Sequence, residues 1–175
     1  MKNKIIIAIA ILLSIPASVL AQTSLETAVL KELNSYRKAN KLQPVVYSAE
    51  VTKAAKHHTQ WMAATNTCSH YETSEVPGIK KLYSPEDRGN FYGLLKNINS
   101  FEEICNWTKS TEGFAGSKKN DTELAKDVIS NFAASTKGHR ESLLSPVSPG
   151  ATISVGISVS IKGEVAYTTI YFIEK

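Results

Sequence analysis

The sequence predicts an α+β fold, a single layered domain in which helices come first and strands come last. Residues 23–62 repeat their apolar positions with helical spacing behind side-chain caps. Residues 154–173 instead alternate with a period of two around a tight turn. The 154 residues from 22 to 175 suffice for one domain with a substantial core.

The start of the chain has the layout of a secretory signal peptide. Lys2 and Lys4 precede an apolar run from Ile5 to Leu13, and Val19-Leu20-Ala21 offers small residues before a cleavage site. Cleavage is expected after Ala21, giving a signal peptide over 1–21, a domain over 22–175 and a secreted or periplasmic product. The run is too short to span a bilayer and Pro16 interrupts it, so no stable membrane anchor is expected. Residues 22–175 carry 18 basic and 16 acidic side chains, a net +2. So small an excess gives no electrostatic reason to bind nucleic acid. The pairs Lys80-Lys81 and Lys118-Lys119 read as solvated loops. With no repeat and no coiled coil to suggest an assembly, a monomer is expected.

Thr23 and Glu26 form a capping box for a first helix ending near Asn40, with Leu25, Ala28, Val29, Leu33 and Tyr36 on one face. Residues 43–47 read as an extended link. Ser48 caps a second helix whose face carries Val51, Ala54, Ala55, His58 and Met62, and the small alanines predict close approach of another element. Residues 65–84 read as a long loop, of the kind that often carries function. Pro85 to Tyr92 is a short helix. Ser100 with Glu103 reads as a capping box opening a helix through Trp107. After a Gly- and Lys-rich loop (111–120), Asn120 and Glu123 cap a helix presenting Leu124, Val128, Ile129 and Phe132; a turn and helix follow over 135–144. Val155, Ile157, Val159 and Ile161 then alternate with small residues, Lys162-Gly163 turns, and Val165 to Ile173 continue the alternation. That is a C-terminal antiparallel hairpin. Trp61, Trp107, Phe132 and Phe172 read as core aromatics.

The only cysteines are Cys68 and Cys105. In an oxidising compartment they are expected to pair across the 36 intervening residues. Loop entropy would make that disulfide worth roughly 3–4 kcal/mol. Two free buried thiols are the alternative.

His70, in Cys68-Ser69-His70-Tyr71, and His139, in Lys137-Gly138-His139-Arg140, each lie in a short polar segment beside an apolar element. Histidines so placed are candidates for a general base or a metal ligand. No HExxH, GxSxG or CxxC accompanies them, so no reaction is specified. The adjacent His57 and His58 read as ordinary packing or surface residues, because neighbours on a helix point to different faces.

Several segments together resemble the CAP superfamily, also called SCP/PR-1-like, in its bacterial secreted branch. Leu33-Asn34-Ser35-Tyr36-Arg37 is similar to its L-N-x-x-R opening, and Leu42-Gln43-Pro44-Val45 to the link that follows. Cys68-Ser69-His70 resembles the segment with the first cleft histidine, and Asp87-Arg88 an acid–arginine pair. Phe132 to Arg140 resembles W-x-x-S-x-G-H-R with Phe for Trp, and Val155-Gly156-Ile157 the strand beyond it. The resemblance implies a three-layer α-β-α sandwich with an open cleft containing both histidines. It also implies cleft neighbours at Lys96, Asn97, Ser135 and Arg140.

In that family a glutamate in a G-E-N-I motif joins the histidines. Here Leu95-Lys96-Asn97-Ile98 puts Lys96 at its position, and the alternative register over Arg88-Gly89-Asn90 puts glycine there. Either way the motif's carboxylate is missing. Glu72, Glu75, Glu102 and Glu103 are substitutes only through a loop rearrangement. His70 and His139 would then be two neutral ligands with a lysine opposing a cation, which makes zinc the only cofactor suggested, and a weak one. The sequence reading is thus a non-catalytic module for a small-molecule, lipid or protein ligand. The alternatives are a metal-dependent hydrolase or peptidase at His70 and His139, and a lipid or sterol carrier.

Overall fold

The computed structural model describes residues 22–112 and 117–175. The expected signal peptide lies outside the described residues. Eleven elements follow in chain order: α1 (Ser24–Ala39), β1 (Val46–Tyr47), α2 (Ala49–Thr65), α3 (Pro85–Phe91), β2 (Ser100–Lys109), β3 (Thr111–Glu112), β4 (Ser117–Lys118), α4 (Asp121–Ala133), α5 (His139–Leu143), β5 (Ile153–Lys162) and β6 (Val165–Glu174). The main sheet has the order β1-β5-β6-β2, antiparallel except for the parallel β1–β5 pair, and β3–β4 is a separate ribbon.

Helices cover both faces of the main sheet, which makes a three-layer α-β-α sandwich. On one face Ile153, Val155 and Ile157 of β5, with Ala166, Ile170 and Phe172 of β6, pack against Leu25, Val29 and Leu33 of α1 and Leu124, Val128 and Phe132 of α4. On the other, Tyr171 and Ile173 meet Val51, Ala54 and Ala55 of α2. The inner strand β6 is therefore apolar on both sides, as its sequence suggests. Gly156 explains the alanines of α2: a Cβ there would lie 2.3 Å from the Val51 carbonyl carbon and 2.4 Å from the Thr52 amide nitrogen. The helix backbone rests on the strand with no room between for a side chain.

The capping boxes at Thr23–Glu26 and Asn120–Glu123 are formed as expected, and Ser84–Asp87 makes a third at α3. Arg37, fully buried, donates from Nε to the Gln43 carbonyl (2.8 Å), from Nη1 to that of Leu143 (2.8 Å) and from Nη2 to that of Ser145 (3.0 Å). Asn34 holds both the amide and the carbonyl of Val45. The L-N-x-x-R segment thus ties α1 to the start of β1 and to the end of α5.

Four expectations need correction. Ser100 to Trp107 is no helix but most of β2, paired with β6 from Ser100↔Glu174 to Lys109↔Val165. Ten consecutive cross-strand pairs outweigh a local capping pattern, and the Ser100 hydroxyl donates to Glu174 instead. Trp107 is 58% exposed on this edge strand rather than in the core. The hairpin turn is Gly163–Glu164, because Lys162 still pairs with Val165. Lys119 is no solvated loop residue: its ammonium donates to the Lys109 carbonyl (3.1 Å) and pairs with Asp127 of α4.

Candidate functional site

The long loop from 66 to 84 brings one partly exposed residue to β2 and one buried residue to α2. His70 stands partly exposed with Nδ1 3.2 Å from Oε1 of Glu103. Glu72 is fully buried. Between them lies Arg88 of α3, also fully buried, whose guanidinium binds Glu103 through Nε (3.0 Å) and Nη2 (2.7 and 2.8 Å). Its Nη1 donates to Glu72 (3.2 Å) and to the Leu82 carbonyl (2.9 Å), and Nη2 also to the His70 carbonyl (2.8 Å). All of the guanidinium's edges are engaged, the geometry for which arginine rather than lysine is suited.

His57 and His58 join the same group. His57 Nε2 lies 3.4 Å from Glu72 Oε2, and His58 Nδ1 3.0 Å from Glu72 Oε1. The expectation that adjacent histidines diverge into packing or solvent fails for a physical reason. The 66–84 loop folds over α2 and sets one carboxylate where both rings reach it. Burial opposes ionisation of Glu72, but hydrogen bonds from His57, His58 and the Leu82 amide, with the charge of Arg88, outweigh it and bring its pKa to about 2. Glu103 is likewise held below the ordinary carboxylate value: burial raises it, and His70, His58 and Arg88 more than compensate.

His139 begins α5 from the opposite layer, after Gly138 at φ +90°, a conformation that favours glycine. Its ring meets His70 with centroids 5.8 Å apart and leans edge-on against Phe132 of α4 at 5.5 Å. Desolvation, then the nearby His70 and Lys137, push its pKa down, so it is neutral at neutral pH. The structure therefore brings the two predicted histidines together. It also supplies a carboxylate to His70 without any loop rearrangement, from strand residue Glu103 rather than from the 95–98 motif. Lys96 and Asn97 are exposed in the turn before β2, where their side chains form no hydrogen bond or ion pair among the described residues. Ser135 accepts a hydrogen bond from the Lys137 amide (3.1 Å), which shapes the turn leading to His139, and Arg140 is exposed.

The expected disulfide is not formed: Cys68 is an exposed free thiol and Cys105 a buried one. Interaction with Cys105 lowers the Cys68 pKa against the effect of burial, helped by His70 and Lys137, and Cys105 itself is pushed far up. Cys105 Sγ also lies 3.9 Å from His70 Nδ1.

Sequence reasoning gave Arg88 only as half of an acid–arginine pair and Glu103 only as a substitute carboxylate, and set His58 aside. Their partners lie 14 to 33 residues away along the chain, a separation that no local spacing reveals. A usable signal was the alternation of Phe101, Glu103, Cys105 and Trp107, which places Glu103 and Cys105 on one face of a strand.

A catalytic zinc site needs three protein ligands. Among the described residues no group of three His, Cys, Asp or Glu side chains is arranged to hold a metal ion. The two imidazoles, one already bonded through Nδ1, do not fit that requirement. A groove of about 530 Å³ lies elsewhere, along α1, lined by residues that include Leu30, Asn34, Leu42 and Pro44. Among the described residues no helix is long and apolar enough to cross a membrane.

The family model described as CAP, the cysteine-rich secretory protein family, matches residues 30–173. Proteins of curated function gave no match. Three solved structures are similar in fold. An extracellular SCP-domain protein from Bacillus anthracis is 18% identical with a TM-score of 0.59, over 86% of this chain and 40% of that one. An outer surface protein of Borrelia burgdorferi is 15% identical at 0.60, over 88% and 95%. A cysteine-rich secretory protein from Staphylococcus aureus is 14% identical at 0.50, over 86% and 38%. The chain thus spans about two-fifths of the Bacillus and Staphylococcus proteins.

Proposed function

We propose a non-catalytic binding role outside the cytoplasm for this chain, which belongs to the CAP, or cysteine-rich secretory protein, family. His70 and His139 line the cleft that takes the ligand, a small molecule, lipid or protein segment. One observation carries this reading: Glu103, the carboxylate against His70, is gripped by the two-pronged Arg88 contact and held ionised. A carboxylate so fixed orients the imidazole and is a poor proton acceptor, so it does not supply the glutamate base that a metal-dependent hydrolase would need here. Cys105, whose Sγ lies 3.9 Å from the ring, is buried and its pKa is raised. Export after removal of residues 1–21 completes the proposal, and the N-terminal sequence of the protein recovered outside the cytoplasm tests that part.

The binding role is tested by following the ring resonances of His70 and His139 while zinc chloride, short peptides and fatty acids are added in turn. Each compound is also assayed for turnover alongside esterase and peptidase substrates. The expected result is a compound that shifts both histidines and is recovered unchanged. Hydrolysis that disappears in both His70→Ala and His139→Ala variants would overturn the reading in favour of an enzyme. The groove along α1, away from the two histidines, supports a second reading in which a lipid binds there instead, since its size falls within the range of small-molecule sites. A mass spectrum of an organic extract of the purified protein checks it.

A further inference from the structure

His57 and His58 share the carboxylate of Glu72 but differ in what faces their second ring nitrogen. His57 Nδ1 lies 3.3 Å from the Tyr92 hydroxyl. A hydroxyl can donate, so a neutral His57 protonated on Nε2 alone satisfies both of its contacts. His58 has no such freedom. Its Nδ1 faces Glu72 Oε1 at 3.0 Å and its Nε2 faces the Ser69 carbonyl at 2.7 Å, with Glu103 Oε1 next at 3.8 Å.

Carboxylates and carbonyls only accept hydrogen bonds. A neutral His58 would direct a lone pair at one of them, in a position with no solvent exposure to relieve it. Flipping the ring does not help, because the acceptors stay where they are. The charge count agrees. Glu72 and Glu103 bring two negative charges, Arg88 supplies one positive charge, and a second buried cation closes the cluster. Trp61 stacks on the His58 ring with centroids 5.8 Å apart and planes 9° apart, an aromatic face that favours a cation.

We infer that His58 is a buried imidazolium protonated on both ring nitrogens, and that it positions His70 by holding the Ser69 carbonyl. Arg88 holds the next carbonyl, that of His70 itself. Two cations from two helices thus clamp consecutive peptide carbonyls at the base of the site. Without the Nε2 donor of His58 the Ser69 carbonyl is unpaired, and the segment carrying His70 is released. The inference stands whatever ligand the site takes.

Protein labelled with ¹⁵N in its histidine rings, observed by long-range ¹H–¹⁵N correlation at neutral pH, tests the protonation. The expected spectrum shows both His58 nitrogens protonated and His57 protonated on Nε2 only. An unprotonated nitrogen on His58 would overturn the inference. For positioning, His58→Phe keeps an aromatic ring against Trp61 and removes both donors. The Ser69 and His70 backbone resonances and the His70 ring resonances should then move; unmoved resonances would overturn the positioning role. If His58→Phe does not fold, His58→Gln, which keeps a single donor group, serves instead with the same two outcomes.

Discussion

Arg88 and Glu103 form a fully buried, two-pronged ion pair, with Nε 3.0 Å from Oε2 and Nη2 2.7 Å from Oε1. Removing one partner from such a pair leaves an uncompensated buried charge. Arg88→Met is expected to destabilise the fold by roughly 3–5 kcal/mol in urea unfolding. The double variant Arg88→Met/Glu103→Leu should cost less than the sum of the two single changes, as coupled sites do. Strict additivity would show that the pair does not interact in the way its geometry implies.

Stability should fall in acid over a defined window. The folded pKa values of Glu72 (about 2) and Glu103 are both below the ordinary 4.5. Between the unfolded and folded values the unfolded chain binds more protons, so stability rises with pH there. The contribution is present above pH 4.5 and is lost as pH falls through the folded values toward 2. For Glu72 it is of order 3 kcal/mol. Unfolding free energies measured across this range should show the slope, and Glu72→Gln should flatten it. An unchanged slope in that variant would contradict the assignment.

The two thiols should react at very different rates. Cys68 is exposed with a lowered pKa, and Cys105 is buried with a raised one. A thiol reagent at neutral pH should label Cys68 in the native protein and reach Cys105 only after unfolding. Peptide mapping separates the outcomes. Equal labelling of both would contradict the burial, and labelling of neither before reduction would reveal a disulfide.

Gly156→Ala should be among the costliest single-methyl changes in the chain. The added carbon meets backbone atoms of α2 at 2.3 to 2.5 Å, and backbone cannot rotate away. The expected penalty is about 1–3 kcal/mol or more in thermal or urea unfolding. Gly150→Ala, where a Cβ meets nothing within 4 Å, tests backbone strain alone, because its φ is +80°. If the Gly150 change proved the costlier, close packing of α2 on β5 would not be what fixes residue 156.

Periodic segments were legible in the sequence because their information is local. The face of α1, the alternation of β5 and β6 and the caps at Thr23 and Asn120 need only neighbours within one or two turns or pairs. Ser100 to Trp107 was misread because a capping pattern is local evidence too, while the pairing with β6 that overrides it spans some seventy residues. Trp107 followed the same error: on a helix face it would be buried, and on an edge strand it is exposed. The histidine pair was legible through its two short motifs. Its carboxylate was not, because Glu103 reaches His70 from a strand while the motif expected it from a turn.

The rings of His70 and His139 belong to opposite layers of the sandwich and touch across a centroid distance of 5.8 Å. Their meeting place is therefore a seam. The spacing between the rings reads out how closely the two helical layers are clasped around the sheet. A ligand that bridges both rings would rivet one layer to the other. Its grip should then be felt far from the point of contact, as slower exchange of the β2 and β6 amides that the layers enclose.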